Sequence, residues 1–161
     1  MLSLLKQPRG FTLIEIMVVV VIIGIALTVA VPKLFPSDEE LTRQESERVL
    51  ALLQVARDEA AFGGRTVAVR LNNARLEFFE RDPGNPDLWN PSRSPELKSR
   101  ALNGKMRAQL AVAGNAIAEK DAQITFLPVG VSLPFELTLQ SSSAPITIVG
   151  DAIGNVQLKA K

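Results

Sequence analysis

An apolar run near the amino terminus constrains this chain more than any other feature. Residues 11–31 are 21 residues long, and Glu15 is their only ionisable side chain. As a helix rising about 1.5 Å per residue, the run spans about 30 Å, the thickness of a membrane hydrocarbon core. A carboxylate in hydrocarbon costs roughly 2.5–3.5 kcal/mol on insertion scales, so we expect Glu15 to have a specific function.

The charges that flank the run predict its orientation in a membrane. Lys6 and Arg9 precede it, and three acidic residues follow at 38–40. Positive charges favour the cytoplasmic side, so the amino terminus is predicted to be cytoplasmic and the chain after Pro36 to lie outside.

Three interpretations of the run compete. The first interpretation is a cleaved secretory signal. The length of the run, the poor cleavage site at 28–30 and the glutamate all argue against it. A plain membrane anchor explains length and orientation but not Glu15. In the third interpretation the chain is cut on the cytoplasmic side after Gly10, and Phe11 becomes the new amino terminus.

The third interpretation gives Glu15 a partner. The cut leaves a protonated amine on Phe11, four residues before the carboxylate of Glu15. The two groups could pair within one chain, or between neighbouring chains that pack with a stagger. Because a buried charge that loses its partner costs several kcal/mol, Glu15 is predicted to set the register of an assembly.

These residues carry a family resemblance. Residues 9–15, Arg-Gly-Phe-Thr-Leu-Ile-Glu, followed by the apolar run and Pro32, resemble the type IV pilin and pseudopilin class and its signature G-F-T-L-x-E. The resemblance implies removal of residues 1–10 by a prepilin peptidase and methyltransferase of the inner membrane, and N-methylation of Phe11. It also implies a membrane and filament-core helix over 11–32, with a helix-kinking proline at Pro32.

A second, amphipathic helix is predicted within residues 33–62. Ser37, followed by Glu40 three residues later, is typical of a helix start. Gly63-Gly64 is typical of a helix end. One face carries the apolar residues Leu41, Val49, Leu52, Leu53, Ala56 and Ala60. The acidic side chains of the helix, Glu45, Glu47, Asp58 and Glu59, are expected to be solvated.

Residues 63–161 are predicted to be a β-rich globular region with six to eight antiparallel strands. Alternation predicts a hairpin over 65–81 with its turn at Asn72-Asn73. Further strands are predicted at 106–112, 123–127 and 134–140, and a final hairpin at 146–149 and 156–158. The expected class is α+β, with a long amino-terminal helix packed on an antiparallel sheet.

Residues 82–100 contain four prolines and Trp89, and are predicted to be a loop. The stretch 91–95 resembles a PxxP ligand, but a rigid connector is the favoured interpretation. Trp89 could anchor the loop on the core or face a partner, and the sequence leaves both open.

The composition argues against most chemistry. Without cysteine and histidine, disulfides, thiolate metal sites and the commonest general base are excluded. Residues 82–87 make a poor calcium loop, and no phosphate-binding glycine motif is present. With 18 basic and 17 acidic residues, the chain has no electrostatic footprint for nucleic acid. We expect no catalytic residue, no cofactor and no metal.

A second resemblance covers most of the chain. Residues 47–60 with Gly64-Arg65, then 124–130, 134–137 and the closing hairpin, are similar to minor pseudopilins of the H type. This implies a low-copy subunit near the tip of a periplasmic type II secretion pseudopilus, joining the tip complex to the major subunits. It also implies a single-pass inner-membrane protein with a periplasmic carboxy-terminal domain. The alternatives are a minor pilin that primes a type IV pilus, and a non-polymerising anchored periplasmic binding domain.

Overall fold

The computed structural model describes residues 11–34, 37–103, 106–117, 123–142 and 144–159. These residues form two helices and ten strands. The chain divides into two compact units, Met1–Pro36 and Ser37–Lys161. Gly10, with Lys6 and Arg9, lies outside the described residues.

The first unit contains helix α1, Leu13–Leu34. Its backbone runs helically through Pro32, and the kink at that residue stays a prediction. Among the described residues, no helix is both long enough and apolar enough to cross a membrane.

The second unit begins with helix α2, Asp38–Gly63. The hydroxyl of Ser37 accepts a hydrogen bond from the backbone N–H of Glu40 at 3.2 Å, which confirms the predicted helix start. At the other end, Gly64 has φ +62°, a conformation that favours glycine, and its N–H donates to the carbonyl of Ala60. The predicted helix end is confirmed as well.

A stripe of buried side chains recurs every three or four residues along α2, and comprises Thr42, Glu45, Ser46, Val49, Leu53, Ala56 and Ala60. Its apolar half was predicted, but its polar half was not. Glu45 is only 6 % exposed, so its predicted solvation was wrong. The buried polar side chains have partners within the protein. The hydroxyl of Thr42 hydrogen-bonds that of Ser141 at 2.7 Å, the hydroxyl of Ser46 donates to the carbonyl of Thr42 at 2.7 Å, and Glu45 pairs with Arg48 at 3.3 Å.

The strands form two antiparallel sheets. Sheet 1 comprises β1 (Val67–Asn72), β2 (Arg75–Arg81), β3 (Trp89–Pro91), β4 (Arg100–Ala101) and β7 (Gln123–Phe126), in the order β3-β2-β1-β7 with β4 also paired to β2. Sheet 2 comprises β5 (Arg107–Val112), β6 (Asn115–Ile117), β8 (Phe135–Gln140), β9 (Ile146–Gly150) and β10 (Val156–Leu158), in the order β10-β9-β8-β5-β6. Helix α2 packs on strands of both sheets.

The first hairpin turns one residue later than predicted. Asn72 still pairs with Arg75, and the turn residues are Asn73 and Ala74, with φ +47° and +54°. This register places Leu71 opposite Leu76 on the buried face. Because a slip of one residue would turn that face to solvent, core burial fixes the turn, even though it holds an alanine in a left-handed conformation.

Three short strands were not predicted. Strands β3 and β4 lie within the segment that the sequence predicts as a loop, and both pair with β2. Strand β6 pairs with β5 across a turn that contains Gly114 at φ +80°. Each of the three is two or three residues long, too short to show a period of two.

The core lies between α2 and the two sheets. Phe126 of sheet 1 and Phe135 of sheet 2 meet edge to face, with ring centroids 6.2 Å apart. Leu53, Ala56 and Leu139 are fully buried around the same core. The α+β class, with a helix packed on antiparallel sheets, is confirmed.

Candidate functional site

The amino-terminal segment is organised by Thr12, the residue before helix α1. The backbone N–H of Glu15 donates to the hydroxyl of Thr12 at 3.3 Å and to its carbonyl at 3.1 Å. Thr12 is therefore the N-cap, with Glu15 three residues on, the spacing of a capping box. Sequence reasoning missed this role, although the Thr-x-x-Glu pattern signals it.

Thr12 lies between Phe11 and Glu15, two of the residues for which the sequence predicts a function. Phe11 lies outside the helix and is 76 % exposed. Glu15 lies in the first helical turn, where a negative charge is favoured by the helix dipole. Its side chain is exposed, and it forms no ion pair with another described residue.

The side chains of helix α1 that the structure describes, at residues 13–28, are all exposed, and most of them are apolar. Leu13, Val20 and Ile25 are 79 %, 61 % and 64 % exposed. The hydroxyl of Thr28 donates to the carbonyl of Gly24 at 2.8 Å, so this polar side chain is satisfied within the helix. A helix that is apolar all round is normally buried among other helices or in lipid.

The proline-rich segment is tied to the domain through Glu80. One carboxylate oxygen of Glu80 accepts from the hydroxyl of Ser92 at 2.8 Å and from the N–H of Arg93 at 3.0 Å. The other accepts from Arg65 at 2.8 Å, and Arg65 also pairs with Glu59 at 3.0 Å. The segment 91–95 is therefore anchored to sheet 1, and its rigidity stays a prediction.

Two opposing effects act on the pKa of Glu80, and burial of its carboxylate is the one that raises it. The hydrogen bonds from Ser92 and Arg93 and the charge of Arg65 outweigh that effect and hold the pKa below its ordinary value. Sequence reasoning missed Glu80 because alternation in a hairpin does not show which loop will cover a strand end.

Asp82, in the poor calcium loop, organises its own turn. Its carboxylate accepts from the N–H groups of Gly84 and Asn85 at 2.9 and 3.0 Å, and from the side chain of Asn90 at 3.1 Å. These bonds, first those to the backbone, hold the pKa of Asp82 below its ordinary value. Within the described residues, no group of three acidic, histidine or cysteine side chains is placed to hold a metal ion.

Trp89 lies half-buried on sheet 1. The guanidinium carbons of Arg81 and Arg70 lie 5.1 and 5.7 Å from its ring centroid. Trp89 also pairs with Arg81 in the sheet. Trp89 is not among the buried core residues. It lies against arginines of sheet 1, and a role in contacting a partner stays a prediction.

Two adjoining loops expose apolar side chains, at residues 127–133 and 151–155. Val129, Leu133 and Ile153 are 78 %, 65 % and 72 % exposed. The hydroxyl of Ser132 donates to the carbonyl of Asp151 at 3.1 Å and joins the loops. Exposed apolar side chains on two loops that contact each other favour a protein contact at this end of the domain.

The comparisons with known sequences agree with these features. The profile of the prokaryotic N-terminal methylation motif matches residues 5–31. With the α+β fold behind it, this motif defines a pilin-like subunit. The profile of the family described as Type II transport protein GspH matches residues 45–154. The chain belongs to this family of type II transport proteins.

Two relatives show the range of similarity. The Type II secretion system protein H of Pseudomonas aeruginosa PAO1 is 31 % identical over 147 residues, which cover 84 % of each chain. The Type II secretion system core protein G of Klebsiella pneumoniae is 43 % identical over 104 residues, covering 64 % of this chain and 66 % of the relative.

Solved structures share the fold. The minor pseudopilin EpsH of the Vibrio cholerae type II secretion system is similar with a TM-score of 0.65 and 17 % identity, covering 77 % of this chain and 99 % of that structure. The type IV minor pilin FimU of Pseudomonas aeruginosa is similar with a TM-score of 0.54 and 15 % identity, over 74 % of this chain and 88 % of that structure.

Proposed function

We propose that the chain is cut after Gly10 by an inner-membrane prepilin peptidase and methylated on the new amino terminus, Phe11. Residues 11–31 then hold it in the inner membrane, with residues 37–161 in the periplasm. The match to the methylation motif supports this processing. The all-round apolar surface of α1 supports its insertion among lipids or other helices.

We propose further that Glu15 pairs with the amino group of a neighbouring subunit during assembly. The observation that carries this proposal is the cap at Thr12, which leaves Phe11 outside the helix and Glu15 exposed one turn away. In apolar surroundings an unpaired carboxylate is costly, so a neighbour that supplies a cation is strongly favoured.

The assembled subunit is placed near the tip of the pseudopilus, where it joins the tip complex to the major subunits. Its partners are other pseudopilins, and its role is structural rather than catalytic. Similarity to a relative named protein H, and to a structure described as a minor pseudopilin, supports this role. The exposed apolar loops at 127–133 and 151–155 suit contacts between subunits.

A minor pilin that primes a type IV pilus is the second candidate. The fold similarity to FimU favours it, and the amino-terminal chemistry is the same. Deleting the gene separates the two: loss of exoprotein secretion with surface pili intact supports the pseudopilus. Loss of surface pili with secretion intact supports the pilus.

Intact-mass measurement tests the processing. We expect the mature chain to lack residues 1–10 and to carry one additional methyl group. Gly10→Leu should retain the leader, whereas Gly24→Ala should be processed normally, because a Cβ at Gly24 meets no atom within 4 Å. A wild-type chain that still begins at Met1 in cells with active peptidase would contradict the proposal.

A further inference from the structure

Four side chains form a continuous surface on sheet 1: Arg70, Phe79, Arg81 and Trp89, here called the arginine–aromatic face. The guanidinium carbon of Arg70 lies 4.4 Å from the ring centroid of Phe79, and that of Arg81 lies 5.1 Å from the ring centroid of Trp89. Arg70, Phe79 and Arg81 alternate with buried residues of β1 and β2. Trp89 pairs with Arg81 across the sheet, so all four side chains lie on the side of the sheet away from the core. Cation–π attraction to these rings holds both guanidinium groups close to the sheet.

Hydrogen bonds position Arg70 further. Its Nε donates to the side-chain oxygen of Gln123 at 2.9 Å. The amide nitrogen of Gln123 donates in turn to the hydroxyl of Thr125 at 2.9 Å, which orients that oxygen towards Arg70. The fixed guanidinium keeps its two terminal nitrogens as donors.

Neither arginine of the face pairs with a carboxylate of the described residues. Glu77 lies opposite Arg70 in the sheet, yet the two form no ion pair. In contrast, Arg43, Arg57 and Arg65 each pair with a carboxylate at 3.2 Å or less. The arginine–aromatic face therefore holds two oriented cations with spare donors.

We propose that this face binds an acidic segment of a neighbouring pseudopilin subunit. Guanidinium groups match carboxylates bidentately, and fixed ones lose less entropy when they bind. Aromatic side chains with arginine are enriched where proteins meet. The assignment to a neighbouring subunit rests on the proposed function.

Trp89, the only tryptophan, gives a direct readout of charge recognition. The full-length chain in detergent micelles is titrated with an oligoglutamate peptide, and with an oligoglutamine peptide of equal length. We expect a saturable fluorescence change with oligoglutamate only. Equal responses to both peptides, or none to either, would overturn the proposal.

Substitutions locate the binding. Arg70→Gln and Arg81→Gln should each weaken oligoglutamate binding about fivefold in calorimetric titration. The control Arg107→Gln removes the same charge from an exposed position on sheet 2 and should leave binding unchanged. If Arg107→Gln weakened oligoglutamate binding as much, the effect would come from the overall charge of the protein, and the proposal would be overturned. Unchanged urea unfolding midpoints establish that the variants are folded.

The partner is identified in cells. Because the chain has no cysteine, Pro91→Cys, at an exposed position opposite Phe79, accepts a photo-crosslinker at one site. We expect cross-links to an acidic peptide of another chain that carries the methylation motif. Cross-links only to an exported protein or to a second copy would overturn the proposal. Normal processing of this variant without such a cross-link refutes the inference alone, whereas a retained leader refutes the proposed function.

Discussion

The hydroxyl of Thr12 accepts a hydrogen bond from the backbone N–H of Glu15, 3.3 Å away, and this contact defines where the first helix begins. It satisfies one of the N–H groups that a helix start leaves without a partner. It also keeps Phe11 outside the helix and the Glu15 carboxylate in the first turn. The positions of Phe11, the proposed site of processing, and of Glu15, the proposed assembly residue, therefore depend on the threonine between them.

Removing that cap should loosen the helix start. Thr12→Ala is expected to cost about 1 kcal/mol at the first turn, because the Glu15 N–H loses its side-chain acceptor. Hydrogen exchange of the first-turn amides, measured in detergent micelles, should be faster by about fivefold. Thr12→Ser keeps the hydroxyl and should exchange like the wild type. Equal exchange in all three chains would contradict the capping role.

Gly154 should resist substitution more than Gly114 does. Both have left-handed backbones, with φ +85° and +80°, but a Cβ on Gly154 would collide with the carbonyl oxygen of Gly130, whereas one on Gly114 meets no atom within 4 Å. Gly114→Ala is expected to cost about 1 kcal/mol of unfolding free energy, and Gly154→Ala about 3 kcal/mol. Urea unfolding followed by Trp89 fluorescence measures both. Equal losses of unfolding free energy in the two variants would show that the backbones of Gly154 and Gly130 do not approach each other this closely.

Glu80 should make stability depend on pH in the acid range. Its folded-state pKa lies below the ordinary value, so the folded state binds fewer protons there than the unfolded state does. The stabilisation is complete above the ordinary glutamate pKa of about 4.3, and is lost as the pH falls through the lower folded value. Urea midpoints measured across this window should therefore fall more steeply with acid in the wild type than in Glu80→Gln.

The same substitution tests the anchor of the proline-rich segment. At neutral pH, Glu80→Gln should cost about 1–3 kcal/mol, because the charged acceptor for Arg65, Ser92 and Arg93 is lost. Glu77→Gln, on the outer face of the same strand, should cost less than about 0.5 kcal/mol. A loss at Glu77 as large as that at Glu80 would mean that the hydrogen bonds of Glu80 contribute nothing specific.

The sequence predicted correctly those features that depend on residues close together in the chain, such as the two ends of α2. Ser37 and Gly64 mark the ends of α2 because their side-chain and backbone preferences act within a few residues. The hairpin turn was predicted one residue early, since only burial of Leu71 and Leu76 across the sheet sets its register. Tertiary packing had overridden the local preference for asparagine in the turn.

The candidate site divides in the same way. Gly10, Phe11 and Glu15 were found from one short motif, and their functions stay predictions. The anchor at Glu80 escaped sequence reasoning because it depends on Ser92 and Arg93, which belong to the segment after the strand. The burial of Glu45 was missed as well. The arginine–aromatic face depends likewise on strand β3, which shows no period in the sequence.

Incorporation of Glu15→Gln into the pseudopilus tests the central claim most directly. This variant keeps the size of the side chain and the helix, but removes the charge that is proposed to pair with the amino group of a neighbour. Pseudopili isolated from detergent-solubilised cell envelopes are quantified for this subunit. The control is Glu39→Gln, which removes an exposed carboxylate from the first turn of α2. We expect Glu15→Gln to be processed and membrane-inserted but depleted at least about tenfold from the pseudopili, with Glu39→Gln at the wild-type level. Wild-type incorporation of Glu15→Gln would contradict the account.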